Sequence, residues 1–268
     1  MTSTKIKPIV KWAGGKSKIL NLIKLHIPNK IENYYEPFLG SAAVYFHIFN
    51  NWRFKKAYLN DSNVDLMNLY SEFKERPEKI ANLTNMLPDQ ENMFLKVRNW
   101  DPKNNITKAV KTLYLNKTCF NGLFRVNGKG KFNVPYGHYN RDEIVDLNTV
   151  MSVSSALKNA KLLCTDWSYI LKEPLKSNDF VFLDPPFMQL KKTSFKGYTS
   201  DKFDEHDHDK IAKFMKSTHA KCMLCNSGVA YNLFHSYNFR IEKLKAPRSI
   251  HGGSKFRESA DDLFVFNY

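Results

Sequence analysis

Apolar residues recur along this chain in two rhythms, one helical and one strand-like, and the changes between them outline its organisation. Ile19, Leu20, Ile23 and Ile27 share one helical face, which predicts a helix over 16–27 closed by Pro28. Residues 34–40 form a short run that stops at Gly40, and helical spacing resumes over 41–47. A second run at 57–59 ends in Asn60 and Asp61, completing a β–α–β unit. From 63 to 159 the pattern is helical, interrupted at Pro77, Pro88 and Pro102. Strand-like runs return at 161–165, 180–184, 221–225, 239–243 and 263–266, with helices predicted over 205–217 and 229–235. The chain reads as an α/β core, residues 1–62 and 160–268, with a mainly helical block at 63–159 inserted in it. Inside that block, 123–139 alternates around Asn127-Gly128, a dipeptide suited to a tight turn, and predicts a β-hairpin.

Charge gives the block a direction. The chain of 268 residues carries a formal net charge of +15. No Asp or Glu occurs between Pro102 and Arg141, where Lys103, Lys108, Lys111, Lys117, Arg125, Lys129, Lys131 and Arg141 all fall. A second acid-free stretch, 243–257, holds Lys243, Lys245, Arg248, Lys255 and Arg257. Basic stripes of this kind displace counterions from a polyanion, so nucleic acid is the expected partner. No run of eighteen apolar residues occurs, and MTSTKIKPIVK lacks the apolar centre of a signal peptide, so no membrane partner is expected and the expected location is cytoplasmic. Four scattered cysteines do not frame a disulfide scaffold, which agrees with a reducing compartment. Cys222 and Cys225 have the spacing of half a zinc site without a second half, and the acids of 204–209 suit a helix's first turn. No metal is expected.

Three segments carry candidate chemistry. Lys11-Trp-Ala-Gly-Gly-Lys-Ser17 ends like a phosphate-binding loop, but the opening glycine would fall at Val10, which argues against that loop. Asp61 lies about 20 residues beyond Gly40, the interval at which a carboxylate ending a second strand takes the hydroxyls of a cofactor ribose. In Asp184-Pro-Pro-Phe187 an apolar strand ends in a carboxylate, and two prolines fix the backbone before an aromatic ring. Such a corner holds a flat base: Phe187 stacks on its face, while the Asp184 carboxylate and the Pro185 carbonyl accept hydrogens from an exocyclic amine. With no N–H on either proline, the lip suits an amine and not a phosphate.

The chain as a whole resembles the adenine-N6 DNA methyltransferases of the Dam type, the alpha group of amino-methyltransferases. The resemblance runs through KWAGGK at 11–16, YEPFLGSAAVYF at 35–46, LND at 59–61, FNGLFRVNGKGKFNVPYGHY at 120–139, TDW at 165–167, DPPF at 184–187, CNS at 225–227 and RSIHGG at 248–253. It implies a Rossmann-like methyltransferase sheet that uses S-adenosylmethionine, with a DNA-recognition domain inserted at 63–159 and carrying the hairpin. It implies methyl transfer to adenine N6 in double-stranded DNA, within GATC, by base flipping. Trp12, Lys16, Phe38, Gly40, Asp61, Asp166 and Asp184 would line the cofactor pocket; Asp184, Pro185 and Phe187 would grip the target base. Lys11, Arg125, Asn127, Lys131, Tyr139 and Arg248 would meet DNA.

Two positions depart from the family pattern. Phe187 stands where many members have tyrosine, keeping the stacking face without the hydroxyl. His138 stands where the hairpin often has arginine, which bears on the choice of site. The resemblance also leaves room for a partner endonuclease acting on the same site, in a bacterial cell or a virus-infected host, and monomer is the default state. The alternatives are a DNA-binding regulator that keeps the fold without turnover, and methylation of RNA or of cytosine N4.

Overall fold

The strand-like runs are short and apolar on both faces, as strands covered by helices on either side must be. A computed structural model of the chain describes residues 5–172, 174–188, 203–244 and 262–268. Among the described residues seven strands form one mixed sheet: β1 (Asn33–Glu36), β2 (Lys56–Asn60), β3 (Ala160–Leu163), β4 (Phe180–Leu183), β5 (Lys221–Ser227), β6 (Arg240–Leu244) and β7 (Asp262–Phe266). Their order is β3-β2-β1-β4-β5-β7-β6, parallel from β3 to β5, with β7 antiparallel to both its neighbours. The register pairs Tyr34 with Phe180 and Leu183 with Leu224. The α/β fold class expected from the sequence is therefore observed.

Alternation along each strand divides the interior in two. Tyr34, Phe180, Phe182, Met223, Cys225 and Phe264 face one core. Tyr35, Val181, Leu183, Cys222, Leu224 and Val265 face the other. Cys222 and Cys225 are thus core residues of a buried strand, as their sequence context suggests.

The helices are α1 (Leu20–Lys24), α2 (Ala43–Asn51), α3 (Val64–Glu75), α4 (Pro77–Asn85), α5 (Glu91–Asn99), α6 (Asn105–Thr118), α7 (Leu147–Leu157), α8 (Glu205–Ser217) and α9 (Tyr231–Ser236). Polar caps set several starts: Asn63, Asn104 and Asp146 accept from backbone N–H groups of the first turns of α3, α6 and α7. Pro77 opens α4, and Pro88 and Pro102 fall in connections. Helices α3, α4 and α7, with Ala109, Val110 and Leu113 of α6, share the core of the sheet, whereas α5, Tyr114 and Leu115 of α6 and residues up to Ile144 build a smaller core around Phe94, Tyr114 and Tyr136.

Two segments differ from the sequence pattern. The predicted helix over 16–27 is a 3-10 turn, Lys16–Lys18, followed by the five residues of α1. Ile19, Ile23 and Ile27 are all buried, so their spacing reports the buried face rather than one continuous helix. At 123–139 no continuous ladder forms: the two limbs meet through isolated antiparallel bridges, Val126 with Phe132 and Cys119 with Tyr136. The turn at Asn127-Gly128 closes as a three-residue loop in which Gly130, at φ +71°, takes the left-handed conformation and Gly128 does not.

Candidate active site

In a sheet of this order the strands diverge at β1 and β4, and ligands bind beyond their carboxyl ends. The segments leaving β1 and β4, with the turn at 12–16, enclose a cavity of about 470 Å³. Trp12, Gly14, Lys16, Glu36, Phe38, Gly40, Asp61, Asp184, Pro185 and Phe187 are among the residues lining it. One site thus gathers residues that lie far apart in the sequence.

Local geometry explains the glycines. Gly15 N–H donates to the Trp12 carbonyl at 3.1 Å, closing a turn in which Gly14 sits at φ +79°. Gly40 is also left-handed, at φ +49°, and a Cβ there would meet the Trp12 ring at 3.1 Å. Its N–H donates to Asp61 Oδ2 at 2.9 Å, while Asn63 N–H donates to Asp61 Oδ1 at 2.9 Å. Burial raises the Asp61 pKa and these two bonds oppose it. Each oxygen keeps a lone pair for a further donor.

The carboxylate at the end of β4 is held from the other side of the cavity. Lys16 Nζ lies 2.6 Å from Asp184 Oδ2, donates to the Gly14 carbonyl at 2.6 Å, and stands 5.0 Å from the Phe187 ring centroid. Burial would lower Lys16, but the charge of Asp184 beside it holds its pKa above the ordinary value. For Asp184 burial is the larger influence and raises the pKa, with Lys16 pulling the other way. Asp184 Oδ1 is buried and has no hydrogen-bond partner among the described residues. Glu36 is a second buried carboxyl in the lining; Tyr34 OH donates to its Oε2 at 2.7 Å, and burial pushes its pKa well up. Sequence reading missed Glu36, whose one signal is its place at a strand end before Pro37.

The basic limbs stand beside this cavity, since Trp12 stacks on Phe124 at 4.9 Å and 25°. Asn116, buried in α6, accepts from Lys11 N–H at 3.0 Å, donates to the Lys11 carbonyl at 2.8 Å and reaches the Gly122 carbonyl at 3.3 Å. Nothing in the sequence marked Asn116, because its partners are remote in the chain. Arg125 Nε donates to Asn133 Oδ1 at 2.8 Å, which presents the guanidinium across the limbs. Asn127 Oδ1 accepts from the N–H groups of Lys129 and Lys131, so it organises the turn, while Lys131 is exposed. Tyr139 accepts from Asn121 N–H at 2.9 Å and carries the Arg141 guanidinium on its face at 4.0 Å. Phe120, half exposed, stands next to Asn121, itself at φ 55°. Asp166 is not in the cavity lining; its carboxylate is turned to Ser168 N–H and Oγ. Arg248 lies outside the described residues.

Residues 12–250 match the family described as D12 class N6 adenine-specific DNA methyltransferase. The chain is 37% identical to Type II methyltransferase M.MjaIII of Methanocaldococcus jannaschii, over 98% of this chain and 99% of that protein. Against Type II methyltransferase M.CviBI of Paramecium bursaria Chlorella virus NC1A the identity is 34%, over 98% and 100%. The DNA adenine methylase of Escherichia coli is 29% identical over 97% and 95%. These matches bear out the resemblance carried by the sequence motifs: the chain belongs to the D12 class of N6 adenine-specific DNA methyltransferases.

Proposed function

We propose that this enzyme transfers a methyl group from S-adenosylmethionine to adenine N6 in double-stranded DNA, within GATC, after turning the target base out of the helix. The observation that carries the reading is the buried, unmet acceptor at Asp184 Oδ1, in a cavity lip beside an aromatic ring. A buried acceptor left without a donor costs about 1–3 kcal/mol, and such atoms persist where a ligand meets them. An exocyclic amine is the donor that this lip suits.

The N6 amine is a weak nucleophile because its lone pair is delocalised into the purine ring. Asp184 Oδ1 would accept one N6 hydrogen and the Pro185 carbonyl the other, which favours a pyramidal nitrogen and returns the lone pair to it. Phe187 would hold the ring plane, and Lys16 would keep Asp184 in place through its other oxygen. Orientation and fixed charge then supply the acceleration without a covalent enzyme intermediate. Extrusion of the base costs a few kcal/mol and brings the amine within reach of the lip.

The cavity fits the proposed donor. Its volume lies within the range of small-molecule sites, and it combines aromatic walls, Trp12 and Phe38, with a carboxylate, Asp61, that retains lone pairs for ribose hydroxyls. When bound, S-adenosylmethionine supplies a sulfonium methyl as the electrophile. Asp166, at the exit from β3, would stand near the adenine end of that donor.

Residues 63–159 serve in this reading as the DNA-recognition domain, with Lys11, Arg125, Lys131 and Tyr139 toward the duplex and Asn127 shaping the turn. Burial first, then the charges of Arg141 and Lys11, push the Lys117 pKa down. A DNA phosphate would relieve that repulsion. The enzyme would act as a monomer in the cytoplasm of a bacterial or virus-infected cell, and the Type II names of its relatives support a partner endonuclease acting on the same site.

The test is transfer of tritiated methyl to unmethylated duplex, followed by nucleoside analysis. N6-methyladenine is expected, and label in cytosine or none at all removes the assignment. Sequencing methylated positions in DNA from cells expressing the protein checks GATC separately.

A further inference from the structure

The lip has few backbone donors of its own, because Pro185 and Pro186 carry no N–H. Its downstream end is tied instead by side chains of β5. Met188 N–H donates to Asn226 Oδ1 at 3.0 Å, and Ser227 Oγ donates to the Met188 carbonyl at 2.7 Å. Asn226 Oδ1 also accepts from Ser227 N–H at 2.8 Å. With its oxygen committed to two backbone donors, the Asn226 amide cannot turn over without losing both. Its Nδ2 therefore faces His208 Nδ1, 3.2 Å away.

That orientation decides the state of the histidine. An amide NH2 pointing at Nδ1 requires Nδ1 to accept, so the ring is neutral and carries its proton on Nε2. The ring also meets the Pro186 carbonyl, and Phe203 packs edge-on against it at 4.9 Å. His208 is 1% exposed, and Asn226 is fully buried. Burial lowers the His208 pKa, against the opposing charges of Asp207, Asp204 and Glu205. The acids of 204–209 do form the start of a helix, with Asp204 and Asp207 making a capping box that fixes the first turn of α8. His208 uses that fixed turn as its base.

We propose that His208 is a positioning residue for the base-gripping lip, acting through Asn226 and Ser227 on Met188, and directly on Pro186, to set the plane of Phe187 and the direction of the Pro185 carbonyl. The inference rests on the reading of Asp184–Phe187 as the adenine site. A satisfied buried polar network specifies one arrangement where an apolar filler would allow several. A misplacement of about 1 Å in such a site costs roughly 100-fold in rate.

The test uses the full chain with His208→Met, which fills the volume without hydrogen bonds, and His208→Gln, which restores a carboxamide donor and acceptor. For His208→Met, kcat is expected to fall roughly 10- to 100-fold, with the KM for duplex and the donor affinity each within about threefold of wild type. His208→Gln should recover most of kcat. The signal of 2-aminopurine placed at the target adenine should drop with kcat in His208→Met, reporting a base no longer seated. Unchanged kcat in His208→Met, or equal losses in both variants that track melting temperature, overturns the proposal. Ser227→Ala removes one tether without a large volume change and decides the matter if His208→Met does not fold: kcat should fall with donor affinity kept, and an unchanged kcat overturns it. If the wild-type chain methylates no duplex, the functional reading fails on its own. The tether is then read from a crystal structure of the His208→Met or Ser227→Ala protein, in which Phe187 and Met188 should be displaced and an unmoved lip refutes it.

Discussion

The edge of the sheet proposed to be catalytic and the basic limbs at 119–141 stand side by side and are built by different means. At the edge three groups are tied to neighbouring segments: Asp184 to Lys16, Asp61 to the backbone of Gly40 and Asn63, and Met188 to β5. The limbs have a buried base, where Tyr136 OH donates to the Asp89 carbonyl at 2.6 Å and Gly137 N–H to that of Thr118 at 2.8 Å, but their tip is exposed. Bonds at the tip run mostly between its own side chains and backbone. A site proposed to hold one geometry for chemistry thus shares its stability with the core. A surface proposed to follow a duplex is anchored at one end and left to local turns at the other.

The largest effect should come from Asp184→Ala. It removes the proposed acceptor, so transfer should fall on the order of 10²–10³-fold or more, as for loss of one aimed hydrogen-bond partner. It also strands Lys16 in the interior, so melting should fall too, while duplex affinity measured by fluorescence anisotropy stays near wild type. Near-normal turnover would remove the acceptor role and merge the two regions into one binding surface.

Lys16→Met breaks the same pair from the other side and should cost about 3–5 kcal/mol at neutral pH, read by urea unfolding. The loss should shrink on acidification. Burial already raises Asp184, and without Lys16 its folded pKa climbs further above the unfolded value. A group raised in this way contributes stability below its unfolded pKa and loses it as pH rises through the folded one. An equal loss at pH 5 and pH 8 would show that the ion pair is not what secures the edge. Arg125→Ala tests the other region: it should relax base choice by about 1–3 kcal/mol at one position and leave melting nearly unchanged. A uniform loss across sequences would make Arg125 a phosphate clamp.

The edge proposed to be catalytic was the more legible region because its motifs terminate strands, and a strand end is marked by the residues on both sides of it. The 205–217 helix was readable to the residue, since acids at its start and apolar spacing along it are local signals. The pairings that complete the site were not readable. Lys16 with Asp184, Asn116 with Lys11, and His208 with Asn226 join segments remote in the chain, and nothing in either segment announces the other. In the limbs, Asn127-Gly128 marked a turn, but not its form: an Asn-Gly pair fits a two-residue loop, and the structure closes a three-residue one with its left-handed residue at Gly130.

The seam between the regions can be probed by two glycines that differ in one respect. Gly122 and Gly130 both have positive φ, +63° and +71°, so alanine at either should cost about 1–2 kcal/mol for the left-handed backbone. At Gly130 an added Cβ meets nothing within 4 Å. At Gly122 it would lie 2.7 Å from Lys11 Cδ and 2.8 Å from Lys11 Cβ. Lys11 Cβ has little freedom to retreat, because Asn116 holds the Lys11 backbone at both its N–H and its carbonyl. Gly130→Ala should therefore lower melting by the conformational cost alone, at roughly 2–4 °C per kcal/mol. Gly122→Ala should lower it further and weaken duplex binding more than donor binding, since Lys11 must leave its place beside the limbs. Equal melting and equal duplex affinity in the two variants would mean that Lys11 yields freely, and that the catalytic edge and the limbs are coupled elsewhere, at the Trp12–Phe124 stack.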